Sequence, residues 1–294
     1  MKNFFKQKMA LIGLVLIVTL AFSAFIGSSL WPHTYDQQLL RDQLQPPSWE
    51  HWMGTDEFGR DVMARVLMGG QISLLVGLIS QSIALLIGIP LGCLAGYFRG
   101  KVDSVVMWLI NVFWSFPYLL LVMALDIALT EPFKGLEESG FIENSQIIRV
   151  YIALGLVSWV LIARIVRGQI MAIKENAYVE AARAFGFSTP RIIFRHLIPN
   201  IITPIFVVLT LGFAEAIIAE AALSFLGLGV MPPTPSWGNM IETNYSRLFT
   251  NIGWWTAFFP GLAIMLAVLG LNLLGDGLRD YLDPHLKDEL EGAR

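Results

Sequence analysis

Three carboxylates, Asp126, Glu215 and Glu220, stand inside long apolar runs, where an ionised group is costly and usually faces protein, water or a moving solute. Groups of this kind relay protons or line a pathway. Glu215 and Glu220 are five residues apart, about 140° around an α-helix, so they do not share a face. One suits a translocation pathway and the other a packed interface; the alternative is that both lie near helix ends and reach interfacial water. No nucleophile, base and orienter accompany them, which argues against a membrane enzyme. The histidines His33, His51, His196 and His285 are scattered without metal-ligand spacing, and the single Cys93 can form neither an internal disulfide nor a cysteine-based metal site. No metal is therefore expected. A phosphate-binding loop needs Gly, four residues, then Gly-Lys-Ser/Thr. The nearest approach, Gly96 to Lys101, is one residue short and is followed by Val102, so the chain is expected to bind neither ATP nor another cofactor.

A second cluster of chemistry lies in residues 180–200, EAARAFGFSTPRIIFRHLIPN, a charged stretch between oily neighbours. Asn176 is placed to cap a first short helix through Tyr178, Glu180, Ala181, Ala182 and Phe185, which Gly186 would end in a left-handed conformation. Thr189 then reads as the next cap, with Pro190 in the first turn, and a second helix carrying Arg191 and Ile192 would close at Pro199. Small residues at 181, 182 and 186 permit close approach, while Phe185 and the arginines are side chains that anchor interfaces. This physics leaves two readings open: a site for a protein partner, or an amphipathic element lying on anionic membrane lipid.

The elements that must position these groups follow from composition. Of 294 residues, 55% are hydrophobic and 15% charged, and the mean hydropathy is +0.62. That is an integral membrane protein, all-α. A net charge of −3 without a basic patch excludes nucleic acid as a partner. Runs long enough to cross a bilayer fall at 9–30, 72–98, 104–129, 147–165, 201–226 and 256–275, giving six transmembrane helices. The first is expected to stay as an uncleaved anchor, because its apolar run exceeds that of a secretory signal. Lysine and arginine collect at 2–8, 99–101, 164–195 and 279–294, which predicts that both termini and the 180–200 stretch are cytoplasmic. Gly88, Gly92 and Gly96 repeat every fourth residue and should let a neighbouring helix approach closely. Gly54-Thr-Asp-Glu-Phe-Gly-Arg-Asp61 reads as a folded re-entry into the second span, with an outer gate or partner contact as the other reading. Pro232, Pro233 and Pro235 suggest a stiff segment with Trp237 as an interfacial anchor.

Glu180-Ala181-Ala182, three residues, Gly186 and then Pro199 resemble the EAA loop of permease subunits in bacterial ATP-binding-cassette importers. The runs GTDEFGRDVMARVLMGGQISL at 54–74, SFLGLGVMPPTPSWGNM at 224–240 and NLLGDGLRDYLDP at 272–284 are similar to the C-type permease of the oligopeptide, dipeptide and nickel importer family. The resemblance implies a type I importer permease: residues 1–8 as a cytoplasmic N-terminus, 9–71 as first span and extracytoplasmic segment, 72–281 as the permease domain with its loop at 166–200, and 282–294 as a cytoplasmic tail. It further implies that Glu180, Ala181, Ala182, Phe185, Gly186, Arg191 and Pro199 form a coupling helix seated on a partner ATPase, which binds ATP and Mg. Glu180 would pair there with a basic residue or cap its own helix. A paralogous permease and an extracytoplasmic solute-binding protein complete the implied assembly, in the bacterial inner membrane. The pattern departs from the family in ending His196-Leu197-Ile198-Pro199 and in carrying Gln71 where many relatives carry arginine. A self-sufficient proton-coupled carrier using Asp126, Glu215 or Glu220 is the competing function.

Overall fold

A computed structural model describes residues 8–139 and 145–282. Among them the only bridge between extended segments is an isolated one, Thr55 with Asp61, so the fold is helical throughout. Nine helices organise it: α1 Lys8–Leu30, α2 Val62–Phe98, α3 Gly100–Trp114, α4 Tyr118–Glu138, α5 Ser145–Ile173, α6 Ala177–Ala184, α7 Thr189–Phe225, α8 Trp237–Asn244 and α9 Trp255–Leu282. Five of these are long and apolar enough to span a membrane alone, and α3 with α4, bent by 95° between them, together have the length and composition of a sixth, broken span. That agrees with six spans and corrects the third, expected as one unbroken helix over 104–129. The break lies at Ser115, Phe116 and Pro117. Proline has no N–H for the ladder and drives the residue before it out of the helical region, so α3 ends there and α4 restarts at a new angle.

The seam between α2 and α5 is the most extensive among the described residues. A Cβ built on Gly88 would stand 2.8 Å from Ile162 Cβ, on Gly92 2.6 Å from the Ala163 carbonyl, and on Gly96 2.8 Å from Ile170 Cβ. From the other side, Gly155 leaves room for Ile83 and the Ser80 carbonyl. The fourfold glycine repeat thus presents bare backbone to its neighbour, as expected, and Cys93 is buried in the same packing. A similar approach joins α1 to α9, where a Cβ on Gly13 would meet the Gly270 carbonyl at 2.5 Å. A π turn at Ser23–Gly27 interrupts α1, and Gln71 Nε2 donates to Ala24 O at 2.8 Å and Ser28 Oγ at 2.7 Å. A neutral amide therefore ties the π turn to α2.

Helix α2 has 37 residues, about 55 Å at the usual rise, and runs well past a hydrocarbon layer of roughly 30 Å. Its first turns lie beneath residues 31–61, which fold back on the bundle. Asp61 caps α2 by accepting from Ala64 N at 2.7 Å. Asp56 accepts from Phe58 N, Arg60 N and Arg60 Nε, and Arg65 lies 3.7 Å away on the same carboxylate. Gly59, at φ +69°, has no room for a Cβ against the Leu39 carbonyl. These contacts support the folded-re-entry reading of the 54–61 stretch.

Two expectations about the other loops are corrected. Trp237 is 2% exposed and is no interfacial anchor; its indole Nε1 donates to Val66 O at 2.9 Å and its ring rests where Gly70 has no side chain. Nor does Pro199 end a helix, because α7 is continuous from Thr189 to Phe225. A π turn at Ile193–Leu197, closed by Ile198 N–H on Ile193 O, precedes the proline, which falls in the first turn of the restarting α-helical ladder, where its missing N–H costs least. One end of the bundle carries residues 31–61 and 226–254, and the other carries residues 99–100 and 174–188.

Replacing Gly92 by Val should force α2 and α5 apart and cost about 1–3 kcal/mol or more. Gly168→Ala is the control, since nothing lies within 4 Å of a Cβ there. Thermal unfolding of the purified protein should show a lowered midpoint for the first and little change for the second.

Candidate functional site

The charged stretch forms a compact helical corner. Ile173 ends α5, and the next residue, Lys174, turns back to donate from Nζ to Gly96 O at 2.8 Å and Tyr97 O at 3.0 Å. It thereby satisfies carbonyls at the C-terminus of α2, where the helix dipole favours a cation. Burial holds its ammonium below the ordinary lysine range, with the nearby Arg99 charge acting the same way. Arg167 grips Asp103 with two donors, at 2.5 and 2.7 Å, joining α5 to α3. This end of the bundle is pinned from three helices.

From that base, α6 presents two faces. Val179 and Ala182 are buried against Ile192, Ile193 and Leu197, while Glu180, Ala181, Phe185, Gly186, Arg191 and Pro199 are exposed. Ala182 is therefore a packing residue, which corrects its place among the outward-facing small residues. Gly186 ends α6 in a Schellman motif: its N–H donates to Arg183 O and that of Phe187 to Ala182 O, at φ +73°. Nothing lies within 4 Å of a Cβ there, so the glycine is needed for backbone conformation and its surface is open. Asn176 occupies the cap position, but only its carbonyl is used, accepting from Val179 N and Glu180 N. The second cap is Ser188, one residue before the expected Thr189. Arg191 lies 4.2 Å over the Phe187 ring, which stacks on His196 at 5.9 Å. Phe185 is 80% exposed, and the Glu180 carboxylate has no hydrogen-bond or ion-pair partner among the described residues. Internal capping by Glu180 is therefore absent.

The intramembrane carboxylates separate as their spacing requires. Glu215 is exposed and lines a cavity of about 210 Å³ with Gln81, Phe113, Trp114, Phe116, Tyr118 and Ser158. The bend between α3 and α4 supplies the aromatic wall. Tyr118 Oη and Ser158 Oγ stand 3.4 Å apart, and Arg164 covers the Trp114 ring at 3.5 Å. One carboxylate beside hydroxyls and π faces suits a solute carrying a cationic group. Glu220 is fully buried: Ser224 Oγ donates to Oε1 at 2.7 Å and Ser73 Oγ to Oε2 at 3.2 Å. Ser224 also lies 3.4 Å from Ser236, the cap of α8, whose capping box with Asn239 is complete. Glu220 thus binds α2, α7 and α8 together and does not reach interfacial water. Asp126, near-buried, pairs with Arg149 at 3.3 Å, joining α4 to α5. The serines were missed because a lone hydroxyl in an apolar run carries no signal of the carboxylate it will meet.

The comparisons accord with this geometry. Residues 88–288 match the family described as binding-protein-dependent transport system inner membrane component, and residues 1–47 match the N-terminal transmembrane domain of oligopeptide transport permease C. The chain is 43% identical to a dipeptide transport system permease protein of Bacillus subtilis, covering 96% of this chain and 83% of that protein. It is 39% identical to a dipeptide permease protein of Alkalihalophilus pseudofirmus, over 97% and 89%, and 37% identical to an oligopeptide permease protein of Bacillus subtilis, over 98% and 89%. Among solved structures, the inward-facing methionine ABC transporter MetNI matches with a TM-score of 0.57 at 18% identity, over 75% of this chain and 97% of that one, a likeness of fold.

Substituting Glu220 by Leu should deprive the Ser73 and Ser224 hydroxyls of their carboxylate acceptor in the interior, costing about 1–3 kcal/mol, while Gln, which keeps a carbonyl acceptor, should cost less. Comparing the two melting midpoints checks this.

Proposed function

We propose, on the premise that this chain belongs to the family of binding-protein-dependent transport system inner membrane components, that it is the permease subunit of an ATP-driven importer for dipeptides, oligopeptides or related small solutes. The family is one of transport components, and the chain is not an enzyme. In this reading partner ATPase subunits bind ATP and Mg, a paralogous permease completes the pathway, and an extracytoplasmic solute-binding protein delivers the solute. The peptide substrate is taken from the relatives' names. A bacterial inner-membrane location is taken from the family and the relatives, and the lysine and arginine distribution supports both termini being cytoplasmic.

The observation that carries the reading is the exposed surface of α6 on a rigid base. Phe185, 80% exposed, is an apolar anchor beside the open Gly186 and an unpaired Glu180 carboxylate, and the corner behind it is fixed by Lys174 and Arg167. An ATPase groove closing on this corner would move α6, and the Lys174 contacts would pass the displacement to the end of α2. Switching a transporter from about 1:99 to 99:1 between two facing states needs roughly 5.5 kcal/mol of differential interaction. A loosely tethered loop would lose that difference in its own motion. In this scheme Glu215 meets the cationic group of the solute as it passes the cavity at the bend, and Glu220 stays a structural carboxylate. The proton-coupled carrier loses ground because its two other relay groups, Asp126 and Glu220, are already engaged in packing contacts.

Two experiments test this. Purifying the chain in mild detergent should recover a second permease and ATPase subunits, and recovery of the chain alone after cross-linking at 180–200 would overturn the reading. Phe185→Asp should cut ATPase recovery and solute-stimulated ATP hydrolysis by at least tenfold with an unchanged melting midpoint. Gly186→Leu should do so with a lower midpoint, because a side chain at positive φ costs about 1–2 kcal/mol. Undiminished hydrolysis and transport in both variants would remove α6 as the coupling element.

A further inference from the structure

Away from the coupling corner, the fold brings together three side chains that the sequence leaves scattered. His33 follows the end of α1, His51 lies in the middle of the 31–61 segment, and Asp61 caps α2. One nitrogen from each imidazole and one carboxylate oxygen lie within 4.8 Å of one another. We infer that His33, His51 and Asp61 form a binding site for one divalent transition-metal ion of the zinc class.

The hydrogen bonds assign what each group offers. His51 Nδ1 stands 2.8 Å from Asp61 Oδ2, so these are the two atoms an ion would take, and its binding would displace the proton they share. That ring is 4% exposed. His33 Nε2 lies 3.3 Å from Glu50 O, an acceptor only, so its proton sits on Nε2 and its lone pair on Nδ1. The two rings face each other at 4.8 Å, tilted by 37°. Asp61 is held in turn by Trp31 Nε1 at 2.9 Å and Ala64 N at 2.7 Å. Both of those donors fall on Oδ1, which fixes the carboxylate and leaves Oδ2 facing His51.

Between these groups is a cavity of about 10 Å³, lined by His33, His51 and Asp61 with Thr34, Gln37 and Gly59. That is the room of a single water or ion. No cationic side chain lines it; the nearby Arg60 is engaged by Asp56 at 2.7 Å. Two imidazoles and a carboxylate around a space of that size suit a cation that displaces the His51 Nδ1 proton. Imidazole donors select zinc, cobalt, nickel or copper over magnesium and calcium, which prefer all-oxygen sites. Ligand atoms around a tetrahedral zinc stand roughly 3.3 Å apart, so binding would widen the 2.8 Å His51–Asp61 pair slightly and draw His33 in. The ion would then cross-link the end of α1, the middle of the segment and the start of α2, and leave a coordination position for water or an incoming group.

The test uses the full chain without a histidine tag, reconstituted in lipid nanodiscs. Zn2+ and, as a spectroscopic probe, Co2+ are titrated and bound metal is measured against protein. The expected result is one equivalent per chain, visible Co2+ absorption of a nitrogen and oxygen site, and a melting midpoint that rises with Zn2+ concentration. His33→Gln, at a half-buried position, should melt like the metal-free parent yet bind Zn2+ at least ~100-fold more weakly. His196→Gln, on the opposite end, should keep the site. Absence of saturable binding in the parent, or equal binding in His33→Gln, would overturn the proposal. Because neither readout involves solute uptake or ATPase partners, its failure leaves the importer reading standing.

Discussion

Everything in this bundle depends on how closely α2 and α5 approach. Between membrane helices the apolar driving force of water is weak, since lipid is as oily as leucine, and association rests on close packing and on polar contacts. The glycine row of α2 answers that constraint by placing backbone against Trp159, Ile162, Ala163, Val166 and Ile170. Lys174 closes the same seam by binding carbonyls of Gly96 and Tyr97. The 174–188 corner is therefore an extension of the α2–α5 pair, tied to the end of α2 through Lys174.

The opposite end solves a different problem. There the chain leaves the bilayer and folds 31–61 over the top of the helices, with Asp56, Arg60, Arg65, His51 and Asp61 all buried. Buried charges are tolerable only when paired and hydrogen-bonded. Asp56 is enclosed by two arginines and two backbone donors, and Asp61 by Trp31, Ala64 and His51. The same packing that satisfies Asp61 aligns His51 and His33 with it, so a metal site would be built from a cap the helix already requires.

Helix breaks carry the rest of the function. The bend at Ser115 to Pro117 turns aromatic side chains toward Glu215 and opens the cavity, and the π turns at Ser23–Gly27 and Ile193–Leu197 let α1 and α7 change register without ending. Each break is local, and its consequence lies in a neighbouring helix.

Composition and hydropathy by themselves determined an all-α membrane protein with six crossings, because apolar length is a property of consecutive residues. The glycine repeat, the Gly186 terminus and the separation of Glu215 from Glu220 were legible for the same reason: each depends on spacing along one helix. Tertiary structure alone decided that Ala182 and Trp237 face inward, that Pro199 is absorbed behind a π turn, that Glu220 is held by Ser73 and Ser224, and that His33, His51 and Asp61 meet. Those outcomes depend on which residues from distant segments share a volume, and neither period nor composition encodes that pairing.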